Sequence, residues 1–138
     1  WGYKFHMNDV CATVGIENLK HADDIISKHR ENAAYYDKHL QNIDKVTLLK
    51  REEGFDSAFW IYSLKVEDRA KFYKYMDKCG IAVSQVHERN DKHTCVREFQ
   101  TNLPSLDATM DKIVSIPVGW WLTPEEREYI VECIKKGW

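Results

Sequence analysis

Leu19-Lys20-His21-Ala22-Asp23-Asp24-Ile25-Ile26-Ser27-Lys28-His29-Arg30-Glu31-Asn32-Ala33-Ala34-Tyr35-Tyr36-Asp37-Lys38-His39-Leu40-Gln41-Asn42-Ile43 is the longest regular signal in the chain. Leu19, Ala22, Ile26, His29, Ala33, Tyr36, Leu40 and Ile43 recur at three- and four-residue steps, which draws one apolar stripe down a helix. Upstream, Asn8 or Asp9 can cap a helix running through Val10, Ala12, Val14, Gly15 and Leu19. Joined, the two predict a helical region of about 35 residues, roughly 50 Å long, with a candidate break near His21 to Asp24. A helix of that length exceeds what a small core covers, so part of it is expected to pack on another domain or subunit.

Working outward, Val46 to Leu49 reads as a short strand and Arg51-Glu52-Glu53-Gly54 as a solvated turn. The aromatic and β-branched run Ala58-Phe59-Trp60-Ile61-Tyr62-Ser63-Leu64-Lys65-Val66 predicts a central strand. A helix follows from Asp68, with Ala70, Tyr73 and Met76 inward and Gly80 as its stop. Ile81 to Val86 reads as another strand, His87 to Pro104 as a long polar loop of the kind that is functional or mobile in compact domains, and Ile113 to Ile116 as a strand. Thr123-Pro124-Glu125-Glu126 is a capping box with Pro at the first helical position; Ile130, Val131 and Ile134 form the buried stripe behind it and Gly137 ends it. This order predicts an α+β fold with a small, mostly antiparallel sheet backed by helices.

Composition sets bounds on partners. A chain of 138 residues with 43% hydrophobic and 30% charged side chains suits one globular domain, residues 1–138, with a real core. No apolar run approaches the roughly 20 residues a membrane span requires. A net charge of −2 gives no general nucleic-acid footprint. Cys11, Cys79, Cys95 and Cys133 are widely spaced with no C-x-x-C pair, and read as reduced thiols of a cytoplasmic protein, mostly small core residues. The chain opens in mid-pattern, without Met or a leader, and so reads as a piece of a longer protein.

Two places concentrate chemistry. Trp1, Tyr3, Phe5 and Met7 alternate with Gly2, Lys4 and His6, which displays Lys4 and His6 on one face, either as the wet side of an edge strand or as a cation and an imidazole meeting a ligand. His87-Glu88-Arg89-Asn90-Asp91-Lys92-His93-Thr94-Cys95 offers two histidines, carboxylates and a thiol. As a metal site it matches no common zinc spacing, and as a Cys95 nucleophile with His93 as base it lacks a visible orienting group. A solvated loop capping its neighbours and a loop contacting phosphate and sugar hydroxyls are the remaining readings, and the side-chain mix suits the last. Trp120-Trp121 marks either hydrophobic packing or an interdomain contact.

Several motifs carry a resemblance. Gly2-Tyr3-Lys4-Phe5-His6-Met7-Asn8-Asp9 with Ala12-Thr13-Val14-Gly15-Ile16-Glu17-Asn18-Leu19 resembles the Gly-Tyr-Asn-Tyr-Arg-Met segment and following helix of DegT/StrS-type sugar aminotransferases. Ser27-Lys28-His29-Arg30-Glu31-Asn32-Ala33-Ala34-Tyr35-Tyr36 is similar to that family's Arg-Arg-x-x-Ala-x-x-Tyr helix, and Ser115-Ile116-Pro117 with Leu122-Thr123-Pro124-Glu125-Glu126 to its terminal signature. The resemblance implies the small C-terminal domain of a fold-type-I enzyme that uses pyridoxal phosphate to move an amino group from glutamate to a keto group of a nucleotide-linked deoxysugar, working as a homodimer.

By position, the resemblance places Lys4 where the family's Asn reaches the cofactor phosphate of the neighbouring subunit, and His6 where its Arg lies near the substrate. A lysine can hold phosphate as a point charge. His87, Asn90 and His93 stand where the family carries a His-containing segment near the sugar nucleotide, although the common Tyr-Pro-x-x-x-His pattern is absent. The Schiff-base lysine belongs to the family's large upstream domain, so no residue here is expected to be catalytic, no metal is expected, and the chain taken alone is expected to be inactive. The rival reading is an autonomous α+β interaction module whose long helix docks a partner.

Overall fold

The computed structural model describes residues 6–138, so Lys4 and all of the Trp1 to Met7 alternation except His6 and Met7 lie outside the described residues. Five α-helices and three strands follow one another as α1 (Asp9–Leu19), α2 (Ala22–Leu40), β1 (Val46–Leu48), β2 (Tyr62–Val66), α3 (Arg69–Lys78), α4 (Pro104–Met110), β3 (Ile113–Ile116) and α5 (Pro124–Lys136), with two short 3₁₀ turns, Asn90–Lys92 and Thr94–Phe99, between α3 and α4. The strands form one antiparallel sheet in the order β1-β2-β3, with Leu48 opposite Leu64 and Leu64 opposite Val114. The α+β fold expected from the sequence is thus the fold observed.

The core lies where β2 alternates. Tyr62, Leu64 and Val66 point inward and are buried, while Ser63 and Lys65 between them are only partly covered. Against that face pack Ala33, Tyr36 and Leu40 of α2, Phe72 and Met76 of α3, and Ile130, Val131 and Ile134 of α5. Burial of such side chains contributes about 1.5–3 kcal/mol each, which makes this the main store of stability. The α5 boundaries follow the sequence closely: the Thr123 hydroxyl accepts from the Glu126 amide, the Glu126 carboxylate accepts from the Thr123 amide, and Gly137 stops the helix at φ 82°.

Four expectations are corrected. The long helical region is two helices, parted at Lys20 and His21 at the edge of the candidate break, and its buried stripe covers only His29, Ala33, Tyr36 and Leu40, with Asn32 beside it; Leu19 is exposed and α1 buries no residue. The strand expected from Ala58 begins only at Tyr62, because the carbonyls of Ser57 and Phe59 are taken by Arg30 and His29 of α2 rather than by a neighbouring strand, and Phe59 turns the backbone at φ 49°. The strand expected over Ile81 to Val86 is a single bridge between Ser84 and Ser115, since the Ile81 amide bonds back to Met76 in the turn that ends α3. Finally, only Cys133 is a buried thiol; Cys79 is partly covered, and Cys11 and Cys95 are exposed.

On α3 the inward pair is Phe72 and Met76, with Tyr73 half-covered and Ala70 exposed rather than inward. Phe72 also meets the Trp138 ring edge-on at 4.7 Å between centroids. Phe72→Ala is therefore expected to cost about 3–5 kcal/mol in chemical denaturation, against less than about 0.5 kcal/mol for Ala70→Ser. Equal effects would place the wrong face of α3 inward.

Candidate functional site

The inward face of α2 is not purely apolar. It carries His29, Asn32 and Tyr36, all buried, and each spends its polar atoms on backbone carbonyls of other segments. His29 Nδ1 lies 2.7 Å from the Phe59 carbonyl, Asn32 Nδ2 donates to the carbonyls of Val118 and Gly119 at 3.1 and 3.0 Å, and the Tyr36 hydroxyl donates to that of Pro117 at 2.8 Å. Arg127 of α5 completes the array by donating to Asn32 Oδ1 at 3.0 Å and Glu31 at 3.1 Å, with its guanidinium 4.2 Å from the Tyr35 ring centre. Lys28 first, and then Arg127, hold the Glu31 carboxyl below the usual carboxylate range.

These bonds fix two irregular segments, Ser57 to Trp60 and Pro117 to Trp121, as the walls of a groove of about 230 Å³ lined by Trp60, Ser84, Ser115, Pro117 and Trp121. Trp60 and Trp121 are exposed, and the Trp121 ring rests where a Cβ on Gly119 would sit. His87, one of the residues singled out from sequence, stands at the outer rim with its ring 6.1 Å from that of Trp60. Asn90 opens the first 3₁₀ turn and His93 lies between the two, both exposed, with the His93 amide bonded to the Asn90 carbonyl at 3.2 Å. His6 is exposed just ahead of α1.

What holds the loop after His87 is a residue that sequence reasoning passed over. Arg89 donates to both Asp91 oxygens, at 2.9 and 2.7 Å, and also to Asp107 of α4. Its guanidinium keeps the Asp91 carboxyl below the usual range, so the loop is tied to α4 by a charge-assisted fork. The largest groove, about 710 Å³, lies elsewhere, among Arg30, Lys50, Arg51, Phe55, Ser57 and Phe59. Arg51 there pairs with Asp37 at 3.2 Å and covers the Phe59 ring at 4.9 Å. The stretch read as a solvated turn from Arg51 is thus half anchored, a tertiary fact with no sequence signal.

Among the described residues, no group of three or more His, Cys, Asp or Glu side chains could hold a metal ion, and no helix is long and apolar enough to cross a membrane. The cofactor implied by the resemblance needs a sheltered lysine and an anion cradle around it. None of the lysines among the described residues is buried, and Lys50, in the largest groove, lies in solvent beside Glu52 at 4.0 Å. These residues do not form a pyridoxal phosphate pocket on their own.

Asn32→Leu keeps the volume but leaves two carbonyls without a donor and removes an acceptor from Arg127. A loss of about 1–3 kcal/mol is expected in urea unfolding, with a shift in tryptophan fluorescence as Trp121 loses its footing. Burial pushes the Tyr36 hydroxyl far above its ordinary value, and burial with the Asp37 bond at 2.6 Å does the same to Tyr62. A raised native value means the native state keeps protons that the unfolded chain sheds, so this contribution is whole below about pH 10 and is lost above it, by up to about 1.4 kcal/mol per pH unit for each tyrosine. Spectrophotometric titration should show these phenols ionising only together with unfolding. Ionisation near pH 10 in a folded chain would refute their burial.

CalS13, a sugar aminotransferase from Micromonospora echinospora, is 48% identical to this chain and superposes with a TM-score of 0.92, over all of this chain and 37% of its own. Spr1654 from Streptococcus pneumoniae, solved in its PLP-form, shares the fold at 22% identity and a TM-score of 0.83, over 97% of this chain and 36% of its own. GDP-perosamine synthase from Escherichia coli O157:H7 is 33% identical over 63 residues, 46% of this chain and 17% of that protein. The chain spans just over a third of the length of the solved relatives it matches. Residues 1–135 match the sequence profile of the DegT/DnrJ/EryC1/StrS aminotransferase family, and the chain belongs to that family.

Proposed function

We propose that this chain is the C-terminal domain of a pyridoxal-phosphate-dependent aminotransferase that transfers an amino group from glutamate to a keto group of a nucleotide-linked deoxysugar. The observation that carries the reading is the likeness to CalS13 along the whole chain, at 48% identity. The PLP-form of Spr1654 supports the cofactor, and the name of GDP-perosamine synthase supports a nucleotide sugar as the substrate class. The cofactor would supply the electron sink and the amino-group carrier. This chain's own residues supply binding and orientation: His87, Asn90 and His93 face the sugar nucleotide from the rim, with Trp60 offering a ring face beside them, and Arg89 sets the loop's position.

Lys4 and His6 are assigned to the cofactor phosphate and the substrate side of a neighbouring subunit, in a homodimer. Such an arrangement also accounts for α1, whose Val10, Val14, Ile16 and Leu19 are all exposed in this chain. The missing large domain and the second subunit are the surfaces expected to cover it.

In the full-length protein, glutamate with a panel of keto-sugar nucleotides should give turnover, whereas the chain alone, mixed with pyridoxal phosphate, should give no lysine-linked chromophore. Lys4→Ala in the full-length protein should weaken cofactor binding about ten- to a hundredfold, the worth of one charge-assisted contact, while leaving the fold intact. Mixed dimers with a subunit lacking the Schiff-base lysine should regain part of the activity, because only a contact crossing the interface leaves one site free of both defects. No recovery despite proven mixed dimers would remove Lys4 from that role.

A further inference from the structure

Away from both grooves, the seam between the end of α3 and α5 gathers two thiols and two phenols. Tyr75 and Cys79 lie one turn apart at the end of α3, and Tyr129 and Cys133 lie one turn apart on α5. The Tyr75 hydroxyl donates to the Cys133 carbonyl at 3.0 Å, and the Tyr129 hydroxyl donates to the Cys79 carbonyl at 3.1 Å. This reciprocal pair holds the helix ends together and keeps both cysteines in the one seam. Burial first pushes the Cys133 thiol up, with smaller influences from the Tyr129 hydroxyl and the Cys79 thiol across the seam. Cys133 is 2% exposed, whereas Cys79 is only partly covered and can meet a dissolved reagent.

We propose that Cys79 and Cys133 form a dithiol that closes reversibly to a disulfide with a soluble disulfide oxidant, locking α5 to the end of α3. The asymmetry of exposure fixes the order of events. The Cys79 thiolate attacks one sulfur of oxidised glutathione, forming a mixed disulfide and expelling the first glutathione thiolate. The Cys133 thiolate then attacks the Cys79 sulfur, forming the Cys79–Cys133 bond and expelling the second. The two cysteines lose two electrons, the glutathione disulfide gains them, and the two thiol protons end on the released glutathiones. Both residues lie in the seam held by the two tyrosine hydroxyls, closure brings their sulfurs to about 2.05 Å, and the exchange is the ordinary thiolate–disulfide one.

The bond would close a loop of roughly 55 residues that contains the His87 to Cys95 segment, α4 and β3, and so bears on the stability of the part of the chain carrying the groove rim. It involves neither the groove residues nor the proposed substrate contacts. Its success or failure is therefore separate from theirs.

The test uses the full-length protein with Cys11→Ser and Cys95→Ser, which remove the exposed thiols that would otherwise take up the reagent. Treatment with oxidised glutathione at about pH 8, followed by non-reducing peptide mapping, should yield a Cys79–Cys133 linked peptide pair in near-stoichiometric amount. The melting midpoint should rise by about 5 °C, and dithiothreitol should reverse it. Cys133→Ser should instead trap glutathione on Cys79, since the resolving thiol is gone; Cys133→Ala gives the same reading if the serine disturbs the packing. A stable glutathione adduct on Cys79 with Cys133 intact, or no reaction at either residue, would overturn the proposal.

Discussion

Asn32 is the residue through which the two halves of this fold are joined. Its amide donates to two successive carbonyls of the segment after β3, and its carbonyl accepts from Arg127 on α5. One buried side chain thereby ties α2, the Pro117 to Trp121 turn and the last helix to a single arrangement. A buried amide left half-satisfied costs about 1–3 kcal/mol per group, so the network is stable only when all three partners are in place. The apolar core would tolerate small shifts of α2 along the sheet; this polar array does not. The register of the helix against the sheet is set here.

The groove inherits that constraint. Its walls are irregular backbone, which in the interior would leave carbonyls unpaired, and α2 supplies the donors strand neighbours would otherwise provide. His29 does for Phe59 what Tyr36 does for Pro117, so both walls are held by one helix. Exposed tryptophans can then stand on a firm base. The outer rim is built differently: its three polar residues are exposed, and the fork from Arg89 to Asp91 and Asp107 is what joins it to α4. The site thus combines rigid walls with a rim free to adjust its side chains.

How much of this was legible in the sequence depends on whether a signal is local. The Thr123 capping box and the stop at Gly137 are set by neighbours within a few residues and came through with their boundaries, as did the end of β2 at Val66. The stripe of α2 was legible only where something lies opposite it. Leu19 fits the same period as Leu40 but has no counterpart in this chain, and period alone cannot show that. The late start of the strand, at Tyr62 instead of Ala58, was not legible because its cause, the bond from His29 to the Phe59 carbonyl, joins residues thirty apart in the chain. Residues His87, Asn90 and His93 were chosen for their chemistry; Arg89, among them, was passed over because its partner Asp107 lies on a helix the sequence did not signal strongly.

Walls held by buried hydrogen bonds and a loop whose polar side chains are exposed divide this domain into two kinds of surface. A wall clamped by buried, hydrogen-bonded side chains is held more firmly than one held by exposed ion pairs, which contribute at most about 1 kcal/mol each. The exposed turns around Asn90 and His93 lie outside the α2 array, so a change of side chain there leaves the bonds of Asn32, Tyr36 and Arg127 in place. Substitution on the exposed turns is therefore expected to cost little stability and substitution in the α2 array to cost more, since only the second holds backbone in place.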